Sequence, residues 1–244
     1  MRSRSLWLIP ESFRSLSLAW ALLLVASLLP LGATSASAQD ITTRVQFHHA
    51  GTGTGMIEVR VNGEEVLDEF QYGDTSDWSE FDPGAVHITI TADRAGFNYL
   101  LLDTVYPAPA GNDYYAVISD VLVLAGAFDR SEVPADASRV QVLQASVDTP
   151  AVNVVATGAE ADLATGLMYP QSSEAAELPA GTYDLEFTLA DSGESVLTAS
   201  GIVVEAGKSY QFVLVGTPGD EDRPLEVVVL ETDLVAGGGA TPQP

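Results

Sequence analysis

The residues that could do chemistry in this chain are few and unevenly placed. All three histidines, His48, His49 and His87, lie in the first half. His48 and His49 are adjacent, and in an extended segment adjacent side chains point to opposite faces, so the two are poorly placed to ligate one ion. With no cysteine in the sequence, a transition-metal set would have to be completed by carboxylates. The histidines therefore read as surface or strand-packing residues. Gly51-Thr52-Gly53-Thr54-Gly55 has the glycine content of a phosphate-cradling loop but no lysine, and no G-x-S-x-G nucleophile elbow occurs.

Carboxylates gather in two places. Asp74, Asp77 and Glu80 fall within one loop and strand start, and Asp220-Glu221-Asp222 follows Pro218-Gly219. Neither has EF-hand spacing, but loop carboxylates on a β-scaffold can collect around Ca²⁺, so both are candidate metal positions. A paired-carboxylate hydrolase would also require a cleft and a raised pKa, and small sandwiches without long insertions seldom supply one. No enzymatic role is expected. Tyr72, Trp78 and Phe81 form an aromatic group, and Trp78 is the only tryptophan beyond the N-terminal segment. Exposed, that group could stack on a sugar ring or anchor a protein; buried, it would be core.

These residues sit in a chain that carries nearly the same module twice. Arg44-Val45-Gln46 returns 95 residues later as Arg139-Val140-Gln141, and Gly63 returns as Gly158. Tyr72-Gly73 answers Tyr169-Pro170, and Asp82-Pro83-Gly84 answers Pro179-Ala180-Gly181, both at 97. A steady offset over four landmarks indicates duplication. Met56 to Val61 followed by Asn62-Gly63 is a hairpin signature, because Asn-Gly accepts the two positive φ values of a type I′ turn. Ala85 to Thr91 alternates with period two, and Thr182 to Leu189 repeats the pattern with Tyr183, Leu185 and Phe187 on one side. Ile202 to Glu205, Ser209 to Val215 and Leu225 to Glu231 read as further strands. No stretch beyond the leader carries a helical period. The expected fold is all-β, with two tandem immunoglobulin-like antiparallel β-sandwich domains over 41–130 and 139–233. The polar, proline-interrupted stretch Asp129 to Ser138 marks their boundary, and its shortness implies a restricted relative orientation. From the tyrosine pairs, Tyr115 and Tyr210 are expected to be equivalent core residues.

Arg2, Arg4 and Arg14 precede an apolar run from Leu18 to Leu29, and Ala36-Ser37-Ala38 offers small residues for cleavage. That order is a signal peptide over 1–38, with Gln39 as the expected new N-terminus. An uncleaved anchor is the competing reading, since Leu16 to Ala33 is nearly long enough to span a bilayer. The segment 234–244, rich in Gly and Pro, is expected to be a disordered tail. The whole chain has 10 basic and 34 acidic residues; the first 38 hold three arginines and one glutamate, leaving 7 against 33 and a formal charge of −26. Such a surface repels phosphate backbones and anionic headgroups, so nucleic acid and membrane insertion after cleavage are not expected.

Arg139 to Val154, reading R-V-Q-V-L-Q-A-S-V-D-T-P-A-V-N-V, resembles the opening R-V-x-x-x-H-A-S-P-D-A-P-x-V-D-V of the DUF4397 family. Leu178 to Leu185 resembles its L-P-A-G-x-Y-x-L element, and Glu205 to Tyr210 its A-G-K-x-Y turn. The first module is a divergent copy, with Phe47-His48-His49-Ala50 at the His-Ala-Ser position and the Gly51 to Gly55 loop in place of Pro-Asp-Ala-Pro. In the second, Gln144 stands where the family has histidine. The resemblance implies a sandwich in a secreted or surface-associated bacterial protein, and no activity. The expected function is that of a secreted or cell-surface structural or adhesive protein whose partner is an envelope protein or glycan. A glycan- or ligand-binding module using Tyr72, Trp78 and Phe81 is the alternative, and Ca²⁺-dependent adhesion the third.

Overall fold

The computed structural model describes residues 43–234 apart from Val121 and Glu160. The expected signal peptide, its cleavage point and the tail from 235 lie outside the described residues. Among the described residues, sixteen strands follow one another. The first module holds β1 (Thr43–His49), β2 (Met56–Val61), β3 (Glu64–Phe70), β4 (Ser79–Phe81), β5 (Gly84–Arg94), β6 (Phe97–Ala108), β7 (Asp113–Ile118) and β8 (Val123–Ala127). The second holds β9 (Ala137–Gln144), β10 (Val152–Thr157), β11 (Ala161–Leu167), β12 (Ala176–Pro179), β13 (Gly181–Leu189), β14 (Ser195–Val204), β15 (Lys208–Val215) and β16 (Glu226–Asp233).

Each module is a pair of four-stranded sheets. In the first, β4-β1-β7-β8 faces β3-β2-β5-β6; in the second, β12-β9-β15-β16 faces β11-β10-β13-β14. The topology repeats strand for strand, as a duplication requires. Pairing is antiparallel except that β1 runs parallel to β7 and β9 to β15. The antiparallel expectation did not contain that parallel pair. It arises because the first strand of each module joins the sheet beside the seventh instead of its own sequence neighbour.

The Asn62-Gly63 turn joins β2 to β3 with φ of 53° and 85°, the two positive values a type I′ hairpin needs. On β13 the burial pattern places Tyr183, Leu185 and Phe187 inward, between sheets, as period two demands. Each module thereby has its own apolar core. Val45, Phe47, Val59 and Ile90 lie in the first, and Val142, Val154, Phe187 and Phe212 in the second.

A third core lies between the modules. All six residues of β7 are buried: Tyr114, Ala116 and Ile118 face the core of their own sandwich, while Tyr115 and Val117 point out of it. β15 behaves alike, with Tyr210, Phe212 and Leu214 inward and Val213 and Val215 outward. The outward side chains meet Phe128, Leu143, Ala145 and Leu230 in one cluster. Burying a large apolar side chain contributes about 1.5–3 kcal/mol, so this cluster couples the two sandwiches firmly. The order of layers is outer sheet, inner sheet, inner sheet, outer sheet.

The expected equivalence of Tyr115 with Tyr210 is corrected by this arrangement. Val45 pairs with Tyr114 and Val140 with Tyr210, so Tyr114 is the true counterpart. Tyr115 corresponds to Gln211 and lies in the junction. A slip of one residue along a strand moves a side chain to the opposite face, and the copy offset is 96 here, not the 95 found at Arg44.

Candidate functional site

The junction is where the chain assembles its densest polar chemistry. Arg44 on β1 points out of the first sandwich and grips Asp113 of β7 with two bonds, Nε to Oδ1 at 2.9 Å and Nη2 to Oδ2 at 2.7 Å. The Thr232 hydroxyl on β16 of the second module donates to the same carboxylate, and Arg130 Nη1 stands 3.4 Å away. Asp113 is 3 % exposed. Burial alone would raise its pKa, but the Arg44 pair, Thr232 and Arg130 outweigh that and hold it below the ordinary carboxylate range. In the second module Ser209 occupies this position and Thr232 stands opposite it, so the charged cluster belongs to one copy only.

Aromatic packing continues from it. Arg44 lies over the Trp78 ring at 4.6 Å from the centroid, and Trp78 and Tyr115 both pack on Phe128, at 5.9 and 5.4 Å between centroids. Gly126 makes room, since a Cβ there would lie 2.6 Å from the Tyr115 hydroxyl oxygen. Its counterpart, Leu230, faces the smaller Gln211. Across the junction Tyr115 reaches Ser172 at 3.4 Å and Ser119 reaches the Tyr169 hydroxyl at 3.0 Å. The counterpart of Tyr169, Tyr72, lies 5.8 Å from the Arg223 guanidinium of the second module. Each module thus extends its tyrosine toward the β7–β8 or β15–β16 turn of the other.

The three aromatics singled out from sequence are therefore dispersed. Trp78 is half-buried at the junction under Arg44, Tyr72 is half-buried beside Arg223, and Phe81 packs against the core of the first sandwich. The carboxylates are also spread along loops. Asp74 accepts from the Gln71 amide at 2.8 Å, Asp220 accepts from the amides of Asp222 and Arg223 at 2.9 and 3.1 Å, and Asp77, Glu80, Glu221 and Asp222 are exposed. Among the described residues, no group of three or more His, Asp or Glu side chains is arranged to hold a metal ion.

The Gly51 to Gly55 loop does cradle an anion, and the anion is the chain's own Asp120. Its carboxylate accepts from the Gly53 amide at 2.5 Å and from the hydroxyls of Thr52 and Thr54 at 2.7 and 3.1 Å. Burial raises the Asp120 pKa, and these donors reverse the effect and hold it low. Asp120 was not legible beforehand, because it lies in a turn 67 residues downstream of Gly53 with no local motif.

Residue equivalence explains the histidines. His49 accepts from the Gly51 amide at 3.1 Å through Nδ1 and bonds the Gly55 carbonyl at 2.7 Å through Nε2. Gln144 does the same in the second module, accepting from the Ser146 amide at 2.8 Å and reaching the Thr149 carbonyl at 3.5 Å. Both side chains tie the turn after the first strand to its own backbone. A second repeated tie runs from Ser76 to the Phe47 amide and from Ser173 to the Val142 amide, at 2.9 and 3.0 Å. Comparing the copies at an offset of 97 would have found that serine pair.

The family model for the domain of unknown function DUF4397 matches residues 43–155 and 138–240, two overlapping segments that span both sandwiches. The chain belongs to the DUF4397 family. Its two DUF4397 copies account for the repeated topology, and the divergent first copy carries the charged half of the junction. Among solved structures, a truncated tip fimbrial protein, Mfa3 from Porphyromonas gingivalis, aligns over 79 % of this chain and 99 % of its own. At 8 % identity and a TM-score of 0.26 that likeness carries no weight for fold or role. No curated protein matches the sequence. Among the described residues no helix is long and apolar enough to cross a membrane, which says nothing of a β-barrel.

Proposed function

We propose that this DUF4397 protein is exported and acts as a non-enzymatic structural or adhesive unit at the cell surface or in the extracellular matrix. The observation that carries the reading is the shared core of the junction, where Tyr115, Val117, Val213 and Val215 are buried between the two sandwiches. Inter-domain contacts within one chain are commonly polar and permit motion. Here the central strand of each inner sheet is buried on both faces, so the pair behaves as one stiff body. Stiffness serves a spacer or a display platform, which must transmit force or hold a contact surface at a fixed angle. The leader-like N-terminus and the acidic surface support the same reading, since a high like charge favours solubility in an open aqueous setting.

Fractionation of producing cells, with N-terminal sequencing of the product, tests the export half. The expected product starts at Gln39 and is recovered outside the cytoplasmic membrane; an intact chain retained in the cytoplasm overturns it. A pull-down from envelope extract, run beside a glycan array, tests the adhesive half. A retained partner is expected, with at least tenfold weaker retention by Val213→Asp, which separates the modules. Equal retention by that variant would mean that rigid coupling has no part in the role.

A further inference from the structure

The two copies fill their cores differently, and the first leaves space. Aligned through strand pairing, Ala116 stands where the second copy has Phe212, Val86 where it has Tyr183, Ile90 where it has Phe187, and Ala125 where it has Val229. Other changes run the other way, among them Phe47 for Val142, Phe81 for Leu178 and Tyr106 for Ile202, but they do not close the space beside Ala116. A cavity of about 200 Å³ results, walled by Val86, Ile88, Ile90, Leu102, Ala116 and Val123. It opens at the edge of the sandwich between β6 and β8, where its lining residues Thr104 and Ala125 are exposed. In the second copy the corresponding edge strands, β14 and β16, touch.

We infer that this cavity is a binding site for the hydrocarbon end of one neutral, chain-like molecule such as an alcohol or the alkyl tail of an uncharged lipid. Size sets the first limit. An apolar cavity of about 150 Å³ stays dry and takes up benzene, so one of about 200 Å³ accommodates a slightly larger hydrocarbon segment. Chemistry sets the second. The walls offer no charged group, and the polar atoms among the lining residues are the Thr104 hydroxyl and tyrosine hydroxyls, so the entering group must be apolar and its head is met by hydroxyls only. Charge sets the third. A chain with 33 acidic residues against 7 beyond the leader disfavours an anionic head at the mouth. The second copy has closed the same space with Phe212, which is fully buried, so the site belongs to the first copy alone.

Titration of the full chain with 1-octanol, followed by methyl NMR, tests the inference. Saturable shifts confined to the methyls of Val86, Ile88, Ile90 and Val123 are expected, together with a rise in melting temperature, because a ligand that prefers the folded state raises it. Sodium octanoate, of the same length and opposite in head charge, is expected to bind at least tenfold more weakly. Ala116→Phe, which installs the second copy's residue, is expected to abolish the shifts while leaving the chain folded; Ile90→Phe is the companion variant should Ala116→Phe misfold. Absence of saturation in the wild-type titration overturns the site without recourse to either variant. Unchanged binding in a folded filled variant does so as well, and equal binding of octanoate overturns the neutral-head assignment.

Discussion

At the level of single residues, the first DUF4397 copy differs from the second by placing titratable groups where its twin has apolar or neutral ones. His48 corresponds to Leu143, is almost fully buried, and bonds only Thr75 at 2.9 Å through Nδ1, leaving Nε2 without a partner. Burial, with a smaller contribution from neighbouring His49, pushes its pKa down to about 4. His49 is likewise lowered, burial again being the main cause. A histidine depressed in the folded state contributes its full stability above the unfolded value of about 6.5, and that contribution is lost as pH falls from there toward the folded value. For His48 the loss reaches about 2 kcal/mol at pH 5, from about 1.4 kcal/mol per pH unit. We therefore expect urea midpoints to fall between pH 7 and pH 5, and His48→Leu to remove about 2 kcal/mol of that fall. An unchanged slope in the variant would show that His48 is not the group responsible.

Among the elements, β7 and β15 decide how the two sandwiches relate. A strand covered on one face alternates in sequence; a strand covered on both does not, and Asp113 to Ile118 reads Asp-Tyr-Tyr-Ala-Val-Ile with no polar side. Val213→Asp would bury a carboxylate among Leu143, Leu230 and Val117 without a partner, at a loss of about 3–5 kcal/mol. Calorimetry should show one transition for the wild type and two for the variant. Two transitions in the wild type would mean that the junction does not couple the modules. This element also marks the limit of what the sequence reveals. Asn62-Gly63 and the period of Thr182 to Leu189 announce β2, β3 and β13 because turn chemistry and one-sided burial are local signals. The tandem sandwiches were legible for the same reason. The junction was not, since its parts, Arg44, Asp113, Phe128 and Thr232, are joined only by tertiary packing. The dispersal of Tyr72, Trp78 and Phe81 escaped the sequence too: three aromatics close in sequence lie on a loop and a short edge strand, where neighbouring side chains diverge.

For the molecule as a whole, charge is the dominant uncompensated quantity. Of the few cations, Lys208 lies 2.5 Å from Glu231 and 3.0 Å from Glu205, and Arg44 and Arg130 are engaged with Asp113. Most carboxylates therefore face water and one another, which favours solubility and opposes compactness. Raising ionic strength from 10 to 150 mM shortens the screening length from about 30 to about 8 Å. The melting temperature should rise accordingly, by about 2–4 °C for each kcal/mol of repulsion removed from a domain pair of this size. NaCl and CaCl₂ at matched ionic strength should act alike if the effect is screening alone, because the oxygens of Asp74 and Asp220 are already engaged by amides of their own turns. A further rise specific to CaCl₂ and reversed by a chelator would instead require a cation held by the loop carboxylates, with Asp220 to Asp222 and Asp74 to Glu80 the first to substitute. A melting temperature indifferent to both salts would mean that the acidic groups stand far enough apart for water alone to screen them, and that their excess governs encounters with other molecules more than the stability of this one.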